Sequence, residues 1–148
     1  MAADRPGRYT VLIVEDDIDY AALVLRALQD AAIGVDVAWT RDGADALDYL
    51  RQRGRYRDAG AARRPDLILL DINLPKVCGS DVLRAVKADA RLRTIPIVVL
   101  TTSADDGDVR DSYGHGANSF ITKPVRFTEL ATTVRNLTLY WKATNVSP

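Results

Sequence analysis

Five polar side chains that could do chemistry together each follow a short apolar run of the sequence: Glu15, Asp16, Asp71, Thr101 and Lys123. Three carboxylates held close together raise one another's affinity for protons unless a cation lies among them. Oxygen ligands with room for water suit Mg²⁺ or Mn²⁺ better than Zn²⁺, and such an ion commonly serves to bind a phosphate. A lysine ammonium can hold phosphate oxygens as a point charge. The residue types therefore predict a site for a divalent metal and phosphoryl chemistry, provided that the fold brings them together.

Asp71 is the candidate nucleophile of this site, because carboxylates are known to form aspartyl-phosphates. The hydroxyl of Thr101 can hydrogen-bond another phosphoryl oxygen. Phosphoryl transfer needs mainly positioning and charge neutralisation, which these groups can supply. An acid after one strand can also cap a helix or open a turn, so the prediction depends on what the other strands place beside Asp71.

The chain alternates five times between a strand pattern and a helix pattern. The predicted strands are Val11–Val14, Val35–Trp39, Leu67–Leu70, Ile95–Leu100 and Ser119–Thr122. Each is followed by apolar residues that repeat at three and four positions, as on one face of a helix. The fourth such segment, from Asp105 to Gly114, holds few apolar residues and predicts a weak, mobile helix.

Such alternation predicts a parallel sheet with helices on both faces and right-handed crossovers. We therefore predict an α/β fold, a doubly wound, flavodoxin-like sheet of five parallel strands in the order 2-1-3-4-5. In that order the carboxyl ends of all strands lie at one edge. The five candidate side chains would then line a single cleft.

The composition is that of an ordinary globular protein. Twenty basic and twenty acidic residues balance, which argues against nucleic acid as a partner. No apolar run approaches the roughly 20 residues that span a bilayer, so no membrane partner is expected. We predict one cytoplasmic domain of residues 9–143, between a disordered lead of residues 1–8 and a short tail of residues 144–148, with no output domain.

Several other features have ordinary structural interpretations. Asp17 is expected to cap the first helix, and Trp39 to serve packing. The only cysteine, Cys78, excludes an internal disulfide, and we interpret it as a small, semi-exposed residue. The only histidine, His115, is expected in a solvated loop.

An arginine cluster lies before the third predicted strand: Arg51, Arg53, Arg55, Arg57, Arg63 and Arg64. The stretch Arg53–Arg64 has no hydrophobic period and predicts a long surface connection. With acids in balance elsewhere, the cluster indicates a solvated face rather than a nucleic-acid patch.

Four motifs, in order along the chain, resemble the receiver domain of two-component response regulators from Tyr9 to about Trp141. They are Val-Glu15-Asp16-Asp17, Leu-Leu-Asp71-Ile-Asn73-Leu-Pro75, Val-Leu-Thr101-Thr102 and Lys123-Pro124. They are similar to the family's acidic pair, its phospho-acceptor signature, its switch hydroxyl with a small neighbour, and its lysine–proline pair, whose peptide bond is usually cis. Cys78 departs from the pattern, because the family often has an acid there.

The resemblance implies a role for each matching residue. Asp71 would accept a phosphoryl group from a histidine kinase. Mg²⁺ or Mn²⁺ would be held by three carboxylates and one backbone carbonyl: those of Glu15, Asp16, Asp71 and Asn73. Thr101 and Lys123 would bind the phosphoryl oxygens. Phe120 would turn inward as Thr101 moves, the alternative being a permanently buried core residue.

The arginine-rich loop, Thr101-Thr102-Ser103 and the aromatic end of the last helix are similar to stand-alone regulators that serve phytochrome-type histidine kinases. This implies a histidine kinase partner of the bacteriophytochrome kind. The end of the last helix is apolar around much of its circumference, as in Leu137-Thr-Leu139-Tyr140-Trp141. We hypothesise a homodimer through the fourth helix, fifth strand and fifth helix; folding back onto the protein's own core is the alternative.

Two other classes of protein use similar parts. An aspartate-nucleophile phosphatase usually needs a second acid two residues beyond the nucleophile, where this chain has Asn73, which cannot exchange protons. A pseudo-receiver that only binds partners would be expected to lose the acids or the lysine, and this chain keeps both. We therefore predict a regulator that assists its own phosphorylation and dephosphorylation but is otherwise not an enzyme.

Overall fold

The computed structural model describes residues 9–29, 34–58, 60, 62–74, 77–102 and 106–144. Its sheet has five parallel strands in the predicted order, β2-β1-β3-β4-β5. The strands are β1 (Tyr9–Val14), β2 (Val35–Thr40), β3 (Leu67–Leu70), β4 (Ile97–Thr101) and β5 (Ser119–Thr122). The helices are α1 (Ile18–Leu28), α2 (Gly43–Arg51), α3 (Gly79–Ala88), α4 (Asp106–Gly114) and α5 (Phe127–Leu139). A 3₁₀ turn, Gly54–Tyr56, follows α2, and a π-helical segment, Tyr140–Thr144, continues α5.

The register of the sheet aligns the carboxyl ends of the strands. Val14 of β1 lies beside Thr40 on one side and Leu70 on the other. At the far edge Thr101 of β4 lies beside Thr122 of β5. The residues that follow these strands are therefore held at one edge of the sheet by the backbone ladder itself.

The central strand β3 supplies a core to both faces of the sheet. Its four residues are all buried, as expected for a parallel strand covered on both sides. Ile68 and Leu70 pack in a cluster with residues of α2 and α3, whereas Leu67 and Leu69 pack in a cluster with residues of α1 and α5. Each such fully buried side chain contributes about 1.5–3 kcal/mol relative to exposure.

The start of β4 differs from the prediction for a physical reason. β4 begins at Ile97 rather than Ile95, because Pro96 has no N–H to donate to the ladder. The N–H of Ile97 instead donates to Asn118 Oδ1 at 2.9 Å. α1 begins at Ile18. The Asp17 side chain accepts hydrogen bonds from the backbone N–H groups of Asp19 and Tyr20, which confirms the prediction that Asp17 caps this helix.

The arginine-rich connection is more ordered than the sequence pattern predicts. Tyr56 lies in the 3₁₀ turn and is buried, with its ring 5.1 Å from that of Tyr49 in an edge-on arrangement. Ala62 is buried as well. The prediction of a long surface connection is therefore wrong at these apolar residues, which anchor the loop to the core. The exposed members of the arginine cluster fit the predicted solvated face.

Two further expectations are corrected. The peptide bond between Lys123 and Pro124 is trans, the form that a prolyl bond favours by about 0.5–1 kcal/mol. His115 is half-buried rather than fully solvated, and its Nδ1 has no hydrogen-bond partner among the described residues.

Cys78 is half-exposed, as expected. Trp39 packs against the core on the α1 side, and its indole N–H also donates to the Glu15 carbonyl at 2.9 Å, a polar contact that the sequence did not indicate.

The end of α5 divides between core and surface. Leu137 and Trp141 pack against the core on the α1 side, as the fold-back alternative requires. Leu139 and Tyr140 are exposed, at 38% and 49%. The predicted lead of residues 1–8, Pro75, Ser103 and most of the predicted tail lie outside the described residues. Within the described part of the chain, no helix is long and apolar enough to cross a membrane.

Candidate functional site

Three of the predicted acids meet at the carboxyl edge of the sheet. Glu15, Asp16 and Asp71 each place a carboxylate oxygen within 4.8 Å of the others, and we call this group the acid pocket. The Glu15 N–H donates to the Thr40 carbonyl at 3.1 Å, and the Asp71 N–H donates to the Val14 carbonyl at 3.0 Å. The ladder of the sheet thus fixes the two buried acids side by side. Asp16, the next residue along, is exposed.

Lys123 faces the acid pocket from the end of β5. Its Nζ lies 3.0 Å from Asp71 Oδ2 and also forms an ion pair with Glu15. Its backbone N–H donates to the Thr101 carbonyl at 2.8 Å, which ties the lysine to the end of β4. Lys123 therefore lies where its ammonium could bind the oxygens of a phosphoryl group carried by Asp71.

The charges of the acid pocket are only partly compensated. Burial raises the pKa of Glu15 to about 7, although Lys123 opposes that shift. Burial alone would lower the pKa of Lys123, but its hydrogen bond to Glu15 and the charges of Asp71 and Glu15 outweigh that effect and raise it. One ammonium thus faces three carboxylates. An all-oxygen donor set with surplus negative charge fits a hard divalent cation such as Mg²⁺ or Mn²⁺.

Asn73 connects Asp71 to Thr101. Its backbone N–H donates to Asp71 Oδ1 at 2.9 Å, and its side-chain amide donates to Thr101 Oγ1 at 3.1 Å. Thr101 is fully buried at the end of β4. The sequence singled out Asn73 for its backbone carbonyl, whereas the contacts seen here are made by its two N–H donors. The carbonyl's role as a metal ligand stays a prediction.

Phe120 lies on β5 and is half-buried against the core on the α3 side. Its backbone N–H donates to the Tyr113 hydroxyl at 3.1 Å, so α4 touches β5 at this residue. The side chain is not fully buried, which disfavours the alternative of a permanent core residue. Its inward rotation with Thr101 stays a prediction.

Two residues support the site without having been singled out as functional by the sequence. The ring of Tyr20, on α1, lies 4.3 Å from Lys123 Nζ, within the range of a cation–π interaction. Gly79 begins α3, and a Cβ there would lie 2.3 Å from Ile72 Cα and 2.4 Å from the Asp71 carbonyl oxygen. Only glycine lets α3 approach the backbone of Asp71 so closely. The sequence signal for Tyr20 was its helical spacing, which indicates packing and says nothing of Lys123.

The pattern of the response regulator receiver domain matches residues 11–135 of this sequence. The chain therefore belongs to the response regulator receiver domain family. It is 42% identical to the probable methanogenesis regulatory protein FilR2 of Methanothrix harundinacea, over 95% of this chain and 88% of that protein. It is 38% identical to the response regulator Rcp1 of Synechocystis, over 93% of this chain and 92% of Rcp1.

Solved structures of two relatives share the fold. The phosphorylated cyanobacterial phytochrome response regulator RcpA superposes with a TM-score of 0.89 at 39% identity, covering 95% of this chain and 99% of RcpA. The Mn²⁺-bound form of Rcp1 gives a TM-score of 0.86 at 37% identity, with the same coverage. The fold, the order of the motifs and these relatives together identify a receiver-domain response regulator similar to those of phytochromes.

Proposed function

We propose that Asp71 accepts a phosphoryl group from a histidine kinase, with a divalent metal held at the acid pocket, and that the phosphorylated protein signals through altered protein–protein contacts. The convergence of three carboxylates, a buried hydroxyl and a lysine at one sheet edge supports this proposal. Transfer to aspartate needs positioning and charge neutralisation more than proton transfer, and these residues offer both.

In the proposed transfer, a carboxylate oxygen of Asp71 bonds to phosphorus while the bond from phosphorus to the kinase histidine nitrogen breaks. The electron pair of that bond stays with the departing imidazole. Glu15, Asp16, Asp71 and the Asn73 carbonyl would hold Mg²⁺ or Mn²⁺, which when bound would supply positive charge for the phosphoryl oxygens. The Lys123 ammonium, which donates to Asp71 Oδ2 in the structure, would move to a phosphoryl oxygen.

Thr101 would couple this chemistry to the surface. Its hydroxyl accepts from the Asn73 amide at present, and in the phosphorylated state we propose that it turns to donate to a phosphoryl oxygen. Phe120 lies on β5, the strand that pairs with β4 and therefore with the strand of Thr101. Its side chain would then move inward. The changed surface would lie on α4, β5 and α5.

Intact mass after incubation with acetyl phosphate tests the chemistry. We expect one added phosphoryl group that depends on Mg²⁺ or Mn²⁺ and is absent in Asp71→Asn. Asp81→Asn, which neutralises an exposed acid on α3, should be labelled like the wild type. Labelling that persists in Asp71→Asn would contradict the assignment. Rapid turnover of phosphomonoesters would favour a phosphatase and would contradict the proposal that the protein is not otherwise an enzyme.

We propose a phytochrome-type histidine kinase as the partner, on the support of the similarity to RcpA and Rcp1. Two exposed apolar side chains flank the acid pocket, Ile18 at 55% exposure beside Asp17 and Val125 at 99% beside Pro124. Exposed apolar groups beside a site that must receive a partner's histidine favour a docking role. Location in the cytoplasm stays a prediction.

Phosphoryl transfer from an autophosphorylated phytochrome-type kinase tests whether Ile18 and Val125 contact the kinase. Ile18→Lys and Val125→Lys should each slow transfer from the kinase by roughly tenfold or more, since the loss of an apolar hot-spot contact at an interface costs about 2 kcal/mol. Labelling of the same variants by acetyl phosphate should be unchanged. Equal slowing with both donors would show damage to the acid pocket instead.

We also propose that α4 and the end of α5 form a homodimer surface. Of the large apolar side chains that are exposed in the described residues, Tyr113, Leu139 and Tyr140 lie there. Light scattering should show a dimer that Tyr140→Asp weakens and that Val125→Asp, a change on the other exposed edge, leaves intact. A strict monomer in both phosphorylation states would contradict it.

A further inference from the structure

A cavity of about 160 Å³ lies at the end of the sheet opposite the acid pocket. Its apolar wall includes Tyr49, Leu50 and Leu92, and its basic side consists of Arg51, Arg64 and Arg91. We call it the basic cavity. None of these residues belongs to the acid pocket or to the proposed docking and dimer surfaces.

The topology sets the distance between the two sites. Arg51 ends α2, Arg64 comes shortly before β3, and Arg91 lies in the connection from α3 to β4. Because all strands run in parallel, residues before β3 and β4 lie at the amino edge of the sheet. The four residues of β3, at about 3.3 Å each, separate that edge from Asp71. Ligands of the two sites could therefore be bound at the same time.

The arginine cluster of the sequence is divided by the fold. Three members form ion pairs away from the basic cavity: Arg53 with Asp48, Arg55 with Asp45 and Arg63 with Asp36. Two others, Arg51 and Arg64, line the cavity, and Arg91 joins them from a distant part of the sequence. The lining of the cavity thus includes three arginines that take no part in the ion pairs of this cluster.

Among the described residues, none of these three guanidinium groups forms an ion pair with a carboxylate. Arg64 donates to two neutral acceptors, the Arg91 carbonyl at 3.2 Å and Thr94 Oγ1 at 3.1 Å. Asp89, the one acid among the described lining residues, accepts the Arg91 backbone N–H at 2.8 Å and so serves the turn. The described lining therefore carries three arginines and a single aspartate.

We propose that the basic cavity binds a small organic polyanion, a di- or tricarboxylate or a phosphorylated metabolite of similar size. Guanidinium groups match carboxylate and phosphate oxygens in bidentate geometry, which favours arginine over lysine at such sites. A cavity of about 150 Å³ admits a benzene-sized molecule, so the carbon skeleton of such an anion fits against Tyr49, Leu50 and Leu92. This site does not depend on the proposed phosphorylation of Asp71.

Isothermal titration calorimetry of the full chain without divalent metal tests the proposal, with citrate as the polycarboxylate and 3-phosphoglycerate as the phosphorylated probe at constant ionic strength. We expect saturable one-to-one binding of at least one probe, and the stronger of the two identifies the ligand class. Arg51→Gln and Arg91→Gln should each weaken binding roughly tenfold or more, since each removes a charge-assisted hydrogen-bonding group.

Two control variants make the result specific. Arg57→Gln removes the same charge from an exposed member of the arginine cluster that does not line the basic cavity, so its affinity should match the wild type. Asp71→Asn should also bind normally, which separates this site from the acid pocket. Acetyl phosphate labelling of Arg51→Gln and Arg91→Gln confirms that they fold. Absence of saturable binding by both probes up to about ten millimolar, or equal weakening by Arg57→Gln, would overturn the proposal.

Discussion

The two edges of the sheet hold opposite charges in different ways. At the carboxyl edge Glu15 and Asp71 are buried, and Lys123 forms ion pairs with both. At the amino edge Arg51, Arg64 and Arg91 border the basic cavity and have no carboxylate partner among the described residues. Lys123 thus compensates part of the negative charge of the acid pocket through direct ion pairs, whereas no arginine of the basic cavity is paired in this way among the described residues. Removing the lysine should therefore lower stability at the first edge, and removing an arginine should raise it slightly at the second.

Lys123→Met should have the largest effect on stability. It leaves Glu15 and Asp71 buried together without their cation, and removal of one member of a buried ion pair typically costs about 3–5 kcal/mol. We expect chemical denaturation at neutral pH without metal to show a loss near the lower value. Saturating Mg²⁺ should recover part of it, because the ion would supply positive charge to the same carboxylates.

The matched control for this change is Lys142→Met. Lys142 is exposed, and an exposed ion pair contributes at most about 1 kcal/mol, so the loss of its charge should shift the free energy of unfolding by no more than that. If Lys123→Met were as stable as the wild type without metal, the acid pocket would not depend on the lysine for its counter-charge.

Gly79→Ala tests how closely the pocket is packed at the backbone. Its new Cβ would meet Ile72 Cα at 2.3 Å, and a rigid backbone cannot move aside as a flexible side chain can. Overpacking of this kind costs roughly 1–3 kcal/mol. Gly114→Ala is the control, because a Cβ there meets nothing within 4 Å and alanine favours the helix. Equal stability of the two variants would mean that α3 can retreat from Asp71 freely.

Tyr20 permits a finer test of how the lysine is held. Tyr20→Leu removes the ring beneath Lys123 and should lose about 1 kcal/mol of stability together with some of the rate of labelling by acetyl phosphate. Tyr20→Phe keeps the ring and removes a hydroxyl that is buried without a hydrogen-bond partner among the described residues, so it should be neutral or stabilising. If both variants behaved alike, the contact with the ring would have no part in positioning Lys123.

The same contrast explains what the sequence could predict. Glu15, Asp71, Thr101 and Lys123 each follow a strand or end one, and the parallel ladder brings strand ends together whatever the loops do. Periodicity therefore sufficed for the strand order and for the meeting of the candidate residues. It missed the start of β4 by two residues, where Pro96 disrupts the ladder.

The rest depends on contacts that have no period. Arg91 joins Arg51 and Arg64 only because a helix end and two connections pack together, so the cluster looked like a uniform solvated face. Tyr56 showed no pattern in its loop, yet its single ring orders that loop against Tyr49. The approach of α3 to Asp71 at Gly79 is likewise a matter of tertiary packing. Contacts of this kind leave no periodic signal in the sequence.

Arg51→Gln should give the smallest effect and the one of opposite sign. Because Arg51, Arg64 and Arg91 share the basic cavity, replacing one charge relieves like-charge repulsion, and we expect a gain of a few tenths of a kcal/mol in the free energy of unfolding at low salt. The gain should vanish near 1 M salt, where the Debye length falls to about 3 Å. Arg57→Gln provides the reference for an isolated surface charge. A loss of stability in Arg51→Gln that salt does not change would mean that the arginine is held by structural contacts, and the contrast between the two edges would fail.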